Sequence, residues 1–176
     1  LIRLALVLAL LAVACGDDDA STADPALVAS LRQRITENQT ESGGPDMTDA
    51  EVDCFARGII DVFSAARITA GIDLEFDAFM GTATQAERRL VVDTMLTCVD
   101  LAPSLAEDLG AGSGISADSA SCLADVMLAS DAFRDATAEA LVSSADPFDD
   151  PALIAELLPS MLECITAEEL AELGNG

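Results

Sequence analysis

The residues best able to do chemistry in this chain are its five cysteines, Cys15, Cys54, Cys98, Cys122 and Cys164. The partners that usually turn a thiol or hydroxyl into a catalyst are missing. The 176 residues include no His, Trp or Tyr, and every basic residue is Arg. Without His the chain lacks the commonest general base and the commonest transition-metal ligand. Carboxylate chemistry stays open, since 32 residues are Asp or Glu, but spacing singles out no pair. Ser104 and Ser130 have no His partner and no nucleophile-elbow context. The stretch "DLEFD" (Asp73, Glu75, Asp77) copies the first three ligands of an EF-hand loop. Ala78 then stands where the sharp turn needs Gly, and Thr84 where the bidentate Glu belongs, which leaves these three as weak metal candidates. Asp17, Asp18 and Asp19 read as a solvated charge run. No catalytic residue and no cofactor are expected.

Cys15 stands apart from the other four. Residues 1–14 carry a single charge, Arg3, among Leu, Ile, Val and Ala. This is a basic start followed by an apolar stretch, shorter than the ~20 residues of a membrane-spanning helix. The segment "AVAC" (Ala12 to Cys15) resembles a bacterial lipoprotein lipobox. That resemblance implies cleavage before Cys15 and a diacylglycerol on its sulfur. Cys15 would then be the new N-terminus, anchored on the outer face of the cell membrane. Acyl chains contribute about 0.8 kcal/mol per buried methylene, so two or three suffice for stable attachment. Residues 15–24, "CGDDDASTAD", read as an acidic flexible tether.

Once residues 1–14 are removed, seven Arg face 32 acidic residues, a net charge of −25. Such a surface excludes nucleic acid, whose phosphates need basic partners. It also disfavours unaided adhesion to anionic lipid. Self-repulsion on this scale predicts carboxylate pKa values raised in the folded state. A hydrophobic content of 51% argues that the body folds.

The elements that must position the cysteines are helices. Asp24-Pro25 supplies an N-cap and a proline at the first helical position, so residues 25–40 are read as a helix. "TDAE" (Thr48 to Glu51), "TQAE" (Thr84 to Glu87) and "TAEE" (Thr166 to Glu169) are capping boxes. After the first, Val52, Phe55, Ala56, Ile59, Ile60 and Phe63 fall on one helical stripe. The second opens a helix carrying Val91, Met95 and Cys98. Pro159 should kink the last long helix. No stretch alternates like a strand, so the fold is read as all-α, a helical bundle of two tandem disulfide-stapled repeats.

The repeat shows in the cysteines. "MTDAEVDCFARGII" (47–60) aligns with "ISADSASCLADVML" (115–128), and "VVDTMLTCV" (91–99) with "LLPSMLECI" (157–165). The domain plan is a signal at 1–14, a tether at 15–24, a first unit at 25–109 and a second at 110–176. Four cysteines in an exported chain argue for disulfides. Three pairings are open, together with free thiols and a structural zinc site. The duplication favours Cys54–Cys98 and Cys122–Cys164. Cys54 sits beside Gly58 and Ala65, off the apolar stripe, so its partner must approach from that small-residue side.

A lipobox, an acidic tether and repeated Cys-bearing helical units together resemble uncharacterised secreted lipoproteins of high-GC Gram-positive bacteria. The resemblance brings no activity or ligand. The functional expectation is a non-catalytic binding or envelope-structural role, with an envelope protein or ligand as partner. A saposin-like lipid-handling module is the alternative, and a carboxylate-based hydrolase the third choice. The anchor is testable at once: Cys15→Ala should release the protein from the membrane fraction with its body still folded. An unmodified cysteine in an intact precursor, found by mass spectrometry of the parent protein, would contradict it.

Overall fold

The computed structural model describes residues 24–42, 46–111, 114–143 and 151–173. The lipidation candidate Cys15 and the signal and tether segments lie outside them. Every regular element among the described residues is a helix. In chain order these are α1 (Pro25–Ser42), α2 (Asp49–Phe63), α3 (Ala65–Gly71), α4 (Phe76–Gly81), α5 (Gln85–Cys98), α6 (Ala102–Gly110), α7 (Ala117–Ala129), α8 (Asp131–Ser143), α9 (Pro151–Cys164) and α10 (Ala167–Leu173). The fold is all-α. No helix among the described residues is long and apolar enough to cross a membrane.

The helix starts follow from local chemistry. Asp24 accepts from the Ala26 N–H at 2.9 Å and opens α1 at Pro25. Thr48 and Glu51 bond each other's amides at the head of α2, at 2.7 and 3.4 Å. Thr84 and Glu87 do the same for α5 at 2.8 and 3.2 Å, and Thr166 and Glu169 for α10 at 2.8 and 3.3 Å. Each box satisfies two donors that a helix start otherwise leaves orphaned. Ser64, held at φ 63°, separates α2 from α3. α9 runs unbroken through Pro159. Pro159 and Ala155 are both exposed, so the carbonyl that loses its helical partner is open to water.

The apolar residues gather in two clusters. One holds Val28, Ala56, Ile59, Ile60, Phe63, Ile68, Met80, Ala83 and Val91, from α1 to α5 and the turn before α5. The other centres on Met127, Leu153 and Leu157, with Leu105 and Leu109 of α6 packed against it. α1 packs on α2 and α6 on α7, and each cysteine-bearing pair, α2 with α5 and α7 with α9, packs together. α8 joins the halves. Its Leu141 and Val142 pack on the first cluster and its Phe133 and Ala136 on the second.

Each half is closed covalently. Cys54 is bonded to Cys98 and Cys122 to Cys164, with Cα atoms 5.5 Å apart in both. Separations of 44 and 42 residues correspond to roughly 4 kcal/mol each of lost denatured-state freedom in the chain-entropy account. The bonds place the folded body in an oxidising, extracytoplasmic environment.

Beside each disulfide a carboxylate ties the same two chain positions. Glu51 accepts from the Thr48 N–H at 2.7 Å and, through its other oxygen, from the Asp100 N–H at 3.2 Å. Glu169 accepts from the Ser116 N–H at 2.6 Å and, through its other oxygen, from the Thr166 N–H at 2.8 Å. Thr48 and Ser116 each lie six residues before a cysteine, and Asp100 and Thr166 two after one. In the first half the carboxylate comes from the helix that begins near its cysteine. In the second it comes from beyond the last cysteine, and Ser119 donates its hydroxyl to it at 2.9 Å.

One turn along from Cys54, α2 and α5 touch through Gly58. A Cβ there would stand 2.2 Å from Thr94 Cγ2. In an uncrowded helix Gly→Ala stabilises by up to about 1 kcal/mol. Here overpacking should reverse the sign, and Gly58→Ala should destabilise by about 1–3 kcal/mol in urea unfolding. Adding Thr94→Ser, which removes the methyl, should restore much of the loss.

Candidate functional site

An apolar groove of about 360 Å³ opens in the first half. The C-terminal part of α1 forms one wall, with Leu31, Arg34 and Ile35. Ile59 and Phe63 of α2 and Ile68 of α3 form its base, and Leu74, Phe76 and Phe79 the opposite wall. Its size falls in the lower part of the range for small-molecule sites, roughly 300–1,000 Å³.

Aromatic geometry shapes the base. Phe63 and Phe79 meet edge to face with centroids 5.0 Å apart, and the Arg67 guanidinium lies 4.9 Å from the Phe63 ring centre. Gly71 lets the Phe79 ring close over α3, since a Cβ there would come within 2.5 Å of it. Arg67 is held in turn by Glu87 and by the Thr82 carbonyl at 2.9 Å. The mouth is apolar as well. Leu74 is 47% exposed and Phe76 38%, and both line the groove.

The polar groups sit at the rim. Arg34 donates from Nε and Nη2 to the Ile72 carbonyl, at 3.1 and 2.6 Å, which pins the C-terminal end of α3 to α1. Glu75 lines the groove from the turn before α4 and is exposed.

The weak metal candidates Asp73, Glu75 and Asp77 lie along this turn. Asp73 and Glu75 are exposed, and Asp77 belongs to α4. No group of three or more His, Cys, Asp or Glu among the described residues is placed to hold a metal ion. The four cysteines are paired as disulfides and lie at two separate places in the fold. The informative residues of "DLEFD" are the apolar ones between the acids, Leu74 and Phe76. Phenylalanine spacing points to core positions, yet Phe55 and Phe76 line an open groove.

Electrostatics differ from the expectation of general self-repulsion. The carboxylates whose ionisation clearly shifts among the described residues, Glu51, Asp53, Glu87 and Glu169, all shift down. The Thr48 hydroxyl and N–H and the Asp100 N–H lower Glu51. The Arg57 guanidinium lowers Asp53, and the Thr84 N–H and hydroxyl lower Glu87, with Arg67 adding to them. Glu169 is held well below the usual carboxylate range by the Ser116 and Thr166 N–H groups. Local donors at helix starts outweigh the distant negative charge, because hydrogen bonds to the ionised form act at contact while exposed charges are screened.

No family model matches the chain, and no curated protein or solved structure matches it.

The lowered carboxylate of Glu169 fixes a sign. Its folded pKa lies below the unfolded value of about 4.3, so its contribution is full above that pH and is lost progressively as pH falls from there toward the lower folded pKa. Glu169→Gln should therefore destabilise the protein at pH 7, and the gap to the parent should narrow below about pH 4. Thermal unfolding from pH 7 to 3 checks this. An unchanging gap would contradict the bridging role.

Proposed function

We propose that this protein is an exported bacterial lipoprotein whose helical body is a non-catalytic binding module, with the groove between α1 and α4 as its binding site. The groove carries this reading, because an apolar concavity with a few polar groups at its rim is the usual form of a small-ligand site. The lipobox-like "AVAC" supports attachment through Cys15 to the outer face of the membrane. So does the likeness to secreted lipoproteins of high-GC Gram-positive bacteria. The disulfides suit such a location. Nine residues, 16 to 24, separate the anchor from α1 and extend to at most about 30 Å. The body would thus stay close to the bilayer, a position favourable to the lipid-handling alternative. A hydrolase of the two-carboxylate kind needs a facing pair, and Glu75 is the one carboxylate among the residues lining the groove.

The two halves are read as copies of one ancestral unit. The support is the paired carboxylate bridge. Each carboxylate joins the residue six before one cysteine to the residue two after the next, although Glu51 and Glu169 occupy different places in the alignment.

The neutral dye Nile red tests the binding site. Its emission should blue-shift with the parent protein and far less with Leu74→Asp or Phe76→Asp, both exposed groove-lining positions, with circular dichroism checking that each variant is folded. Equal response from parent and variants, or none from either, would contradict the assignment.

A further inference from the structure

We propose that the groove takes the single acyl chain of an anionic amphiphile, with the head group against Arg34; this rests on the groove being the binding site. Two observations carry it, one of size and one of charge.

The size selects one chain. A groove of about 360 Å³ lies at the low end of the range for small-molecule sites, roughly 300–1,000 Å³, which suits one slender chain better than a bulky two-chain lipid. The base and mouth are apolar along this length, from Ile59 and Phe63 out to Leu74 and Phe76.

The charge selects the head group. Arg32, Arg57, Arg67, Arg88, Arg89 and Arg134 each lie within ion-pair distance of a carboxylate. Arg34 is the exception among the described residues. Its acceptor is the neutral Ile72 carbonyl, which takes two of its five N–H donors. In a chain of net charge −24, this exposed guanidinium stands at the edge of an apolar groove with no carboxylate within ion-pair distance among the described residues, and three of its N–H donors remain for an anion. A carboxylate or phosphate at the end of an acyl chain supplies the missing charge, through hydrogen bonds roughly twice as strong as neutral ones. Glu75 lines the same groove from the turn before α4, so the anion belongs at the α1 side. The Ile72 carbonyl holds the guanidinium in place, which reduces the ordering cost of binding.

The test uses the full chain with Cys15→Ala, and compares dodecanoate, dodecanol, dodecyltrimethylammonium and vesicles of a diacyl phosphatidylglycerol. Each is followed by Nile red displacement and, for the first two, by calorimetry below the micellar range. Dodecanoate should bind about tenfold more tightly than dodecanol. Arg34→Gln should erase that preference; because Arg34 also ties α3 to α1, the readout is the ratio of acid to alcohol affinity within each variant, which a merely loosened groove would not move. Arg34→Lys, which keeps the charge, should retain part of the preference. Equal affinity for acid and alcohol, a preference that survives Arg34→Gln, tighter binding of the cationic amphiphile, or displacement by vesicles as effective as by dodecanoate would each overturn the proposal and leave the groove as an apolar site. Failure of dodecanoate, dodecanol and Nile red to bind at all would remove the binding-site reading itself.

Discussion

Each half of the fold is closed from the head of one helix to the tail of another, and the packing around it follows from that closure. Cys54 lies in the first two turns of α2 and Cys98 ends α5, while Cys122 lies early in α7 and Cys164 ends α9. A bond between a helix start and a helix end holds the two antiparallel and fixes their register. A carboxylate then bridges the backbone next to each bond, so the crosslink and the helix caps form one small assembly. The closure also explains Gly58. Once Cys54 and Cys98 are bonded, the next turn of α2 comes against Thr94, and a side chain would separate the helices. The closures matter because the cores are built of modest groups. The fully buried large side chains are Met80, Met127 and Val92, and only 3% of the sequence is aromatic.

Charge acts at two scales. The chain carries far more acid than base, yet its arginines stand where they hold elements together. Arg88 of α5 donates to the Ala138 carbonyl of α8 at 3.1 Å and meets Glu139 at 3.2 Å. Arg89 reaches Asp93 on its own helix and Asp131 and Asp135 on α8. Arg134 returns from α8 to the Leu128 carbonyl and to Asp93. These bonds span the junction between the halves, where α8 shares its apolar residues with both clusters. Arg34 plays a different part, since it ties α3 to α1 through a backbone carbonyl and brings no carboxylate with it.

Much of this was legible in the sequence because it is local. A capping box needs only a Thr and a Glu three residues apart, and the boxes at Thr48, Thr84 and Thr166 start the helices they predict. The stripe from Val52 to Phe63 is periodic, and all but Phe55 of its members are buried. The groove was not legible, because it depends on how α1, α3 and α4 lean on α2. In the turn between α3 and α4 the acids of "DLEFD" carry the spacing of a metal loop, while the groove is lined by the Leu and Phe between them. The bridge from Glu169 to Ser116 was hidden for the same reason: its partners are 53 residues apart, and nothing at position 169 alone distinguishes a carboxylate serving two helix starts from one serving its own. Arg34 likewise looks like any arginine on an exposed helix face until the carbonyl of Ile72 is placed beside it.

Each half is closed upon itself by its own disulfide. Peptide mapping of the non-reduced protein by mass spectrometry distinguishes this closure from every other pairing. One linked pair should contain Cys54 and Cys98, and another Cys122 and Cys164. A peptide joining Cys98 to Cys122, or four free thiols, would contradict it, because neither the register of α2 against α5 nor that of α7 against α9 would then have a covalent basis.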